Sequence, residues 1–383
     1  MMVFNYDAIV VGCGLSGAVV ARELAEKGRR VAIFERRNHI GGNMYDYVDD
    51  HGILVHKYGP HTFHTNSKML FDYVCQYEDW QEYHLKCGAV INGKCTPVPF
   101  NFQTIDDFFS IKEADTIKRN IVEEFGSRKV ATVLEVLEHK NPIIRKYGEF
   151  LFKNDYSLYT AKQWGIAPTL IDPSILKRVP LRFSYEEGYF DDKFQVMPKH
   201  SYTEFFKNIL SHRNIKVFLN ISALDFLHID MNASSVTVNG KPFNQIVIYT
   251  GAIDELLNNS FGNLPYRSLE FVWKSEEITS KQKYAVVAYP QSDGYTRIVE
   301  FKKLPEQFSS WTTYEIEYPV TYSPYKNEAY YPVLTETSMS LYRKYESIIA
   351  KIPNLYLCGR LAKFKYFNMD QALDSALNLV HSI

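Results

Sequence analysis

The chain has 383 residues, of which 46% are hydrophobic, enough to build the cores of two or three domains. A net charge of -1 predicts no nucleic-acid partner, and the absence of a long apolar run predicts no membrane span. The five cysteines form no CxxC pair, which favours reduced thiols in the cytosol over disulfides or a zinc site, and we expect no bound metal.

The first elements predict a dinucleotide site. Residues 7–17 read as a buried strand, a Gly-x-Gly-x-x-Gly turn and the start of a helix. In such a turn, backbone N–H groups and the helix N-terminus meet a pyrophosphate. A second strand ends at Glu35, at the spacing where an acidic side chain accepts both ribose hydroxyls of an adenosine.

Three features favour FAD over NAD as the dinucleotide. A second glycine turn follows at residues 36–43, and later strands at 245–251 and 354–360 end in Gly and in Gly-Arg. In FAD enzymes a late strand and helix N-terminus cover the flavin and stabilise negative charge near its N1. The residues predicted from these patterns to bind the cofactor are Gly12, Cys13, Gly14, Leu15, Ser16, Gly17, Glu35, Arg36, Gly42 and Asn43.

The hydrophobic pattern further along the chain predicts an α/β fold with three domains. The late strands read as returns to the first sheet, so the Rossmann-like FAD-binding domain is assembled from three segments, 1–85, 201–266 and 336–383. Residues 101–178 read as a helical domain. Residues 179–200 and 267–335 alternate, which predicts an antiparallel β-sheet domain that receives the substrate.

Separated motifs occur in order from the first strand to the last helix, at residues 37–43, 56–64, 159–164, 178–183, 189–195, 295–300, 330–333 and 359–366. Together they resemble the UDP-galactopyranose mutase family. The resemblance implies a flavoprotein isomerase that interconverts the pyranose and furanose forms of a nucleotide-diphosphate sugar for cell-surface polysaccharide biosynthesis. It also implies a homodimer formed by the helical domain, a mobile loop over the substrate, and a flavin kept reduced by a reductant such as NAD(P)H.

The expected chemistry needs cations beside a diphosphate. A sugar ring cannot open while its anomeric carbon carries a phosphate, so the nucleotide is displaced, kept in place and returned. Reduced flavin, electron-rich at N5, can attack that carbon. By resemblance, Arg182 and Arg297 form the diphosphate clamp. The loop of His61 and His64 lies against the flavin, where a histidine either tunes flavin protonation or is structural.

The resemblance also assigns the substrate side chains. Aromatic rings stack on the base, and phenols donate to phosphate oxygens. The predicted substrate-binding set is Leu85, Asp155, Tyr156, Tyr159, Thr160, Trp164, Tyr189, Tyr331 and Tyr366. The resemblance adds to the cofactor set Pro60, His61, Arg360, Asn368, Met369 and Asp370.

Five positions depart from the family pattern. Asp155 and Tyr156 stand where two aromatic residues are usual, Leu158 replaces a glycine, and Leu85 and Ala288 replace asparagines. Loss of two amides beside the sugar fits a 6-deoxy sugar, so dTDP-fucopyranose is the alternative to UDP-galactopyranose. Two other classes stay open, an amine-oxidase-type flavin oxidoreductase, which needs no arginine pair, and a non-catalytic flavin-binding module.

Overall fold

The computed structural model describes residues 5–165, 179–324 and 326–383. Its strands, in chain order, are β1 (Ala8–Val11), β2 (Val31–Phe34), β3 (Asp46–Val48), β4 (Leu54–His56), β5 (Phe63–Thr65), β6 (Trp80–Glu82), β7 (Cys87–Ile91), β8 (Lys94–Val98), β9 (Val130–Ala131), β10 (Leu181–Arg182), β11 (Phe194–Pro198), β12 (Ile215–Phe218), β13 (Leu227–Asp230), β14 (Ser235–Val238), β15 (Lys241–Pro242), β16 (Ile246–Tyr249), β17 (Tyr266–Glu276), β18 (Val286–Ala288), β19 (Arg297–Glu300), β20 (Thr312–Thr321), β21 (Tyr331–Pro332) and β22 (Leu355–Leu357). Its α-helices are α1 (Leu15–Glu26), α2 (Lys68–Val74), α3 (Phe102–Phe108), α4 (Ile111–Phe125), α5 (Val133–Leu137), α6 (Pro142–Leu151), α7 (Ser157–Trp164), α8 (Tyr202–Leu210), α9 (Ile253–Leu256), α10 (Glu336–Ile349) and α11 (Met369–Ser382).

A five-stranded parallel sheet in the order β12-β2-β1-β16-β22 is assembled from separated parts of the chain, which confirms the predicted fold class. Its central strands are apolar on both faces, as buried parallel strands must be. Val10 faces a core that contains helices α1 and α11, whereas Ile9 faces a second core that contains α10. Because the strands are parallel, the glycine turns that follow β1 and β2 lie at the same edge of this sheet. The domain boundaries given above remain a prediction.

A seven-stranded sheet in the order β21-β17-β20-β19-β18-β7-β8 forms a second layer, and its pairs are antiparallel except β18 with β7. The prediction for residues 267–335 agrees with this sheet. The assignment of residues 179–200 to it does not, because β11 pairs with β5 and β6, and β10 pairs with β9. Alternation shows that a segment is a strand but carries no information about its partner. In the structure, β7 and β8, and not residues 179–200, complete the end of the seven-stranded sheet.

Helices α3 to α6 pack around a third core, and one π-helical turn, Phe152–Tyr156, joins α6 to α7. Among the described helices, none is long and apolar enough to cross a membrane. All five cysteines are free thiols.

Candidate active site

A cavity of about 1040 Å³ runs from the carboxyl edge of the parallel sheet to the seven-stranded sheet and the helices. Its volume exceeds that of an ordinary single-ligand pocket, so it can hold a dinucleotide and a second ligand together. The predicted cofactor residues that line it are Gly12, Gly14, Leu15, Ser16, Gly17, Glu35, Arg36, Gly42, Asn43, Pro60, His61, Arg360, Asn368 and Met369. Cys13 and Asp370 do not line this cavity. The Cys13 side chain is buried in the core, and Asp370 lines a smaller neighbouring cavity.

The same cavity collects most of the predicted substrate residues. Those that line it are Leu85, Asp155, Tyr156, Tyr159, Thr160, Tyr189, Tyr331, Tyr366, His64 and Arg297. The side chain of Trp164 and residues 166–178 lie outside the described part of the chain.

The glycine turn is shaped by close backbone approach. Gly12 has a φ of +99°, and a Cβ there would overlap the hydroxyl of Thr250. A Cβ at Gly17 would overlap the carbonyl oxygen of Gly12, so only glycine allows α1 to begin here. Helix α1 starts at Gly14 with no side-chain cap, which leaves its first N–H groups to an anion in the cavity.

Glu35 is fixed at the end of β2 by two backbone donors. Its Oε2 accepts from the Cys13 N–H at 2.8 Å and its Oε1 from the Arg37 N–H at 2.9 Å. Each carboxylate oxygen keeps a further lone pair for a ribose hydroxyl. This arrangement, together with the uncapped helix end, fits the adenosine and pyrophosphate of a dinucleotide.

Arg36 and Arg360 border the cavity but are held by protein groups. Arg36 pairs with Glu328 at 2.6 Å and with Glu255 at 3.5 Å. Burial would lower the pKa of Arg36, but these two carboxylates raise it above its ordinary value. The Arg360 guanidinium donates to the carbonyl of Phe367 at 2.5 Å and lies over the Tyr366 ring. Both arginine side chains are therefore held in position at the cavity surface.

Arg297 presents a positive charge to the cavity from β19. Its Nε lies 2.7 Å from the Glu317 Oε2, and 28% of its side chain is exposed although it sits deep in the protein. Burial would lower the pKa of Arg297, but the Glu317 carboxylate outweighs burial and raises the pKa well above its usual range. Tyr159 and Tyr331 lie close enough to affect that pKa, so a cation and two phenols converge.

Arg182 is not brought together with Arg297. It does not line the cavity, its side chain is 7% exposed, and its guanidinium pairs with Asp191 at 2.7 Å. Neighbouring Val179 and Pro180 do line the cavity. The expected two-arginine clamp is therefore represented, among the described residues, by Arg297.

The two predicted histidines occupy different environments. His61 lies with Nδ1 2.8 Å from the Gly59 carbonyl, and burial, with the charges of Arg360 and Arg297, lowers its pKa to about 4. It is therefore a neutral imidazole at neutral pH. His64 instead bonds Asp192 at 2.7 Å and stacks on Phe190 with ring centroids 3.7 Å apart. Within the described ranges, no group of three or more His, Cys, Asp or Glu side chains could hold a metal.

Sequence reasoning missed three partners of these residues. Asp192 orients His64, Gln163 donates to the hydroxyl of Tyr331, and Glu317 holds Arg297. Asp192 and Gln163 lie within or beside motifs already recognised. The only sequence signal for Glu317 was that it and Glu315 are the two charged residues of an otherwise uncharged strand.

Comparison with known proteins agrees with this geometry. A model of the UDP-galactopyranose mutase family matches residues 154–366, and one of an NAD(P)-binding Rossmann-like domain matches residues 10–77. A UDP-galactopyranose mutase of Mycoplasma genitalium is 35% identical over 377 residues, 96% of this chain and 92% of that protein. A dTDP-fucopyranose mutase of Escherichia coli is 33% identical and covers 96% of each chain. A crystal structure of reduced UDP-galactopyranose mutase has a TM-score of 0.72 at 15% identity, covers 97% of this chain and 92% of that one, and shares the fold.

Proposed function

Because the chain belongs to the UDP-galactopyranose mutase family, we propose that it interconverts the pyranose and furanose forms of a nucleotide-diphosphate sugar, with UDP-galactopyranose as the first candidate. The observation that carries the proposal is the position of Arg297. Its guanidinium faces a cavity whose other end is a dinucleotide-binding turn, and two tyrosines lie beside it. A diphosphate between them would lie next to the cofactor.

We propose FAD as the flavin. The uncapped start of α1 would hold the pyrophosphate, Glu35 the ribose, and the N-terminus of α11 the isoalloxazine end. A bound reduced flavin would supply an electron-rich N5 as the nucleophile for the anomeric carbon, and a reductant such as NAD(P)H would keep it reduced.

The protein's part in the reaction is to retain the departing nucleotide. Arg297 offers a permanent charge and a planar set of donors to the diphosphate, and its pair with Glu317 keeps that plane oriented. The hydroxyls of Tyr159, Tyr331 and Tyr366 line the same region and can donate to phosphate oxygens. The nucleotide therefore stays poised to return while the sugar recloses through another hydroxyl.

His61 contributes as a neutral group. Because its Nδ1 faces the Gly59 carbonyl, Nδ1 carries the proton and Nε2 is left as an acceptor. A neutral imidazole avoids adding a third positive charge beside Arg297 and Arg360. We propose that it accepts a hydrogen bond from the cofactor side of the cavity.

dTDP-fucopyranose is the second candidate substrate. Leu85 and Ala288 both line the cavity with apolar side chains, so neither can bind a sugar hydroxyl. A 6-deoxy sugar presents one hydroxyl fewer, and the Escherichia coli relative bears the name of such a mutase.

The cellular setting is also part of the proposal. The free thiols favour a reducing cytosol, where NAD(P)H would keep the flavin reduced. The family likeness favours a homodimer formed by the helical domain and a role in cell-surface polysaccharide biosynthesis. Light scattering of the purified protein measures the oligomeric state directly.

The test is to reduce the flavin-loaded protein with dithionite and supply UDP-galactofuranose and dTDP-fucofuranose separately. Chromatography then shows which furanose becomes the pyranose. Conversion of neither by the reduced protein would contradict the proposal, and oxygen consumption with an amine would favour an oxidase instead.

Arg297→Ala should abolish measurable turnover while the protein keeps its flavin, because the diphosphate loses its cation. Arg182→Ala is the comparison, since Arg182 would have to leave Asp191 to reach the ligand. We expect the smaller loss from Arg182→Ala. Normal turnover by Arg297→Ala would remove that residue from the mechanism.

A further inference from the structure

Asp155 is a buried carboxyl that points into the cavity. It lies in the π-helical turn between α6 and α7, and only 9% of it is exposed. It lines the cavity, yet within the described part of the chain no hydrogen bond or ion pair reaches its carboxyl. π-helical turns are costly and recur at functional sites. An unpaired buried carboxyl in such a turn needs a partner that the protein does not supply.

Its neighbour Tyr156 has a different role. The Tyr156 hydroxyl donates to the Val179 carbonyl at 2.8 Å, and its ring packs edge-on against Phe100. Tyr156 therefore holds the turn in place. The Asp155 carboxyl, which lines the cavity, is available to a ligand.

The sheet register relates the position of Asp155 to that of Arg297. Arg297 is paired with Ala288, Ala288 is paired with Ala89 on β7, and β7 packs against the π-helical turn. Two strand spacings separate Arg297 from β7, roughly 10 Å. A nucleoside diphosphate spans a similar distance from its phosphates to its base, so a diphosphate at Arg297 brings the base to Asp155.

Tyr159 completes the surroundings of such a base. It follows Asp155 by four residues, so the two side chains lie on the same side of the helical segment, and both line the cavity. An aromatic ring at that position offers a stacking face, and the carboxyl then meets the edge of the stacked base.

On the basis of the proposed function, we propose that Asp155 binds the imide edge of the substrate's pyrimidine base, its neutral carboxyl donating to a ring carbonyl and accepting from the ring N–H. Uracil and thymine share this edge, so the assignment holds for either candidate substrate. A carboxylate would instead face the carbonyl oxygens with like charge. The edge of guanine presents two adjacent N–H donors, so a guanine base would instead favour an ionised Asp155.

The electrostatics of the turn agree with a neutral carboxyl. Burial raises the pKa of Asp155 to about 7, and the Lys162 ammonium offsets only part of that rise. Among the described residues, the ionisable groups that interact with Asp155 are Lys162 of α7 and Tyr156 of the turn itself. Of these, Lys162 carries the charge at neutral pH.

The experiment measures binding of UDP and dTDP to the flavin-loaded protein by calorimetry, with no turnover required. Asp155→Asn keeps a donor and an acceptor, so it should bind both nucleotides as the natural protein does. Asp155→Leu should bind them about tenfold to a hundredfold more weakly. Inorganic pyrophosphate, which has no base, should bind all three proteins equally.

The pH profile separates this role from a structural one. Nucleotide affinity should fall above about pH 7 as Asp155 ionises, and Asp155→Asn should remove that fall. Pyrophosphate titrated in parallel reports the contribution of the diphosphate. Asp293→Asn, an exposed carboxyl that also acts on Lys162, is the matched control and should keep the natural profile.

Two results would overturn the assignment. Equal weakening by Asp155→Asn and Asp155→Leu would mean that a carboxylate is required, and normal UDP binding by Asp155→Leu would mean that the base lies elsewhere. A protein that binds UDP through Asp155 but converts no sugar would refute the proposed function and leave this inference standing.

Discussion

Arg297 and Glu317 lie directly opposite each other on β19 and β20, so the strand register itself builds the ion pair that faces the cavity. Glu315, two residues earlier, is also fully buried on the same face. Burial and the nearby Glu317 raise the pKa of Glu315 well above its usual range. The Glu317 carboxylate therefore faces the Arg297 guanidinium, and burial favours the neutral form of Glu315.

Glu317→Gln should lower kcat/KM because Arg297 loses the charge that orients it. The loss should be about 1–3 kcal/mol, less than for a fully buried pair, since Arg297 is partly exposed. Glu315→Gln replaces a group whose neutral form is favoured by burial and should change kcat/KM little. Steady-state kinetics of both variants measure this difference, and a larger effect from Glu315→Gln would reverse the charge assignment.

His56 and His61 make stability depend on pH. Burial, with the neighbouring His61, lowers the pKa of His56 to about 3, and the His56 Nδ1 accepts the His61 backbone N–H at 3.0 Å. Because the unfolded chain binds these protons near pH 6.5 and the folded chain does not, stability is lost as the pH falls below 6.5.

His56→Asn keeps an acceptor for that N–H but cannot be protonated. Between pH 6.5 and pH 4.5 it should lose about 2–3 kcal/mol less stability than the natural protein. Urea unfolding at the two pH values measures the change within each protein, so any constant effect of the smaller side chain cancels. Parallel losses in both proteins would show that His56 is protonated in the folded state.

At the scale of elements, the glycine turn, α1, β2 and Glu35 were predictable because sequence spacing alone fixes them. The pairing of β11 was not, because a short strand finds its neighbours through tertiary packing. The position of Arg182 was not predictable for a similar reason. Its motif indicates a functional segment, but its ion pair with Asp191 depends on how the intervening turn folds. The π-helical turn at Asp155 has no sequence signature.

Lys162 connects the helix that carries Tyr159 to the turn before Arg297. Its Nζ donates to the carbonyls of Tyr289, Ser292 and Tyr295 at 2.7, 3.0 and 2.9 Å. These bonds fix the distance between Tyr159 and Arg297, the two side chains that the diphosphate is proposed to contact.

Lys162→Met removes the ammonium donor that three carbonyls share and should lower stability by about 1–3 kcal/mol. KM should rise several-fold with a smaller change in kcat, because the substrate groups lose their spacing. Lys153→Met removes an exposed lysine of the same region and should change neither. An unaltered KM in Lys162→Met would show that α7 is held without this link.

For the molecule as a whole, the parallel sheet unites segments that are hundreds of residues apart, and the seven-stranded sheet and helices are inserted between them. The cavity is lined by residues of all these segments. The cofactor site therefore exists only when the complete fold exists.

Thermal unfolding should show one transition in which flavin release and loss of secondary structure coincide. Flavin fluorescence and far-ultraviolet circular dichroism, followed on the same sample, measure the two midpoints. Added FAD should raise both midpoints together, since it binds only the folded chain. Flavin release well below the structural midpoint would show that the parallel sheet opens independently.

The order of the strands also bears on biosynthesis. β22 completes the edge of the parallel sheet and α11 covers α1, yet both emerge from the ribosome long after the glycine turn. The apolar face of α1, complete at Glu26, thus stays uncovered until α11, which begins at Met369, is translated more than 340 residues later. We therefore expect flavin to bind only after α11 has been synthesised, and we expect nascent chains to need chaperones that shield apolar surface.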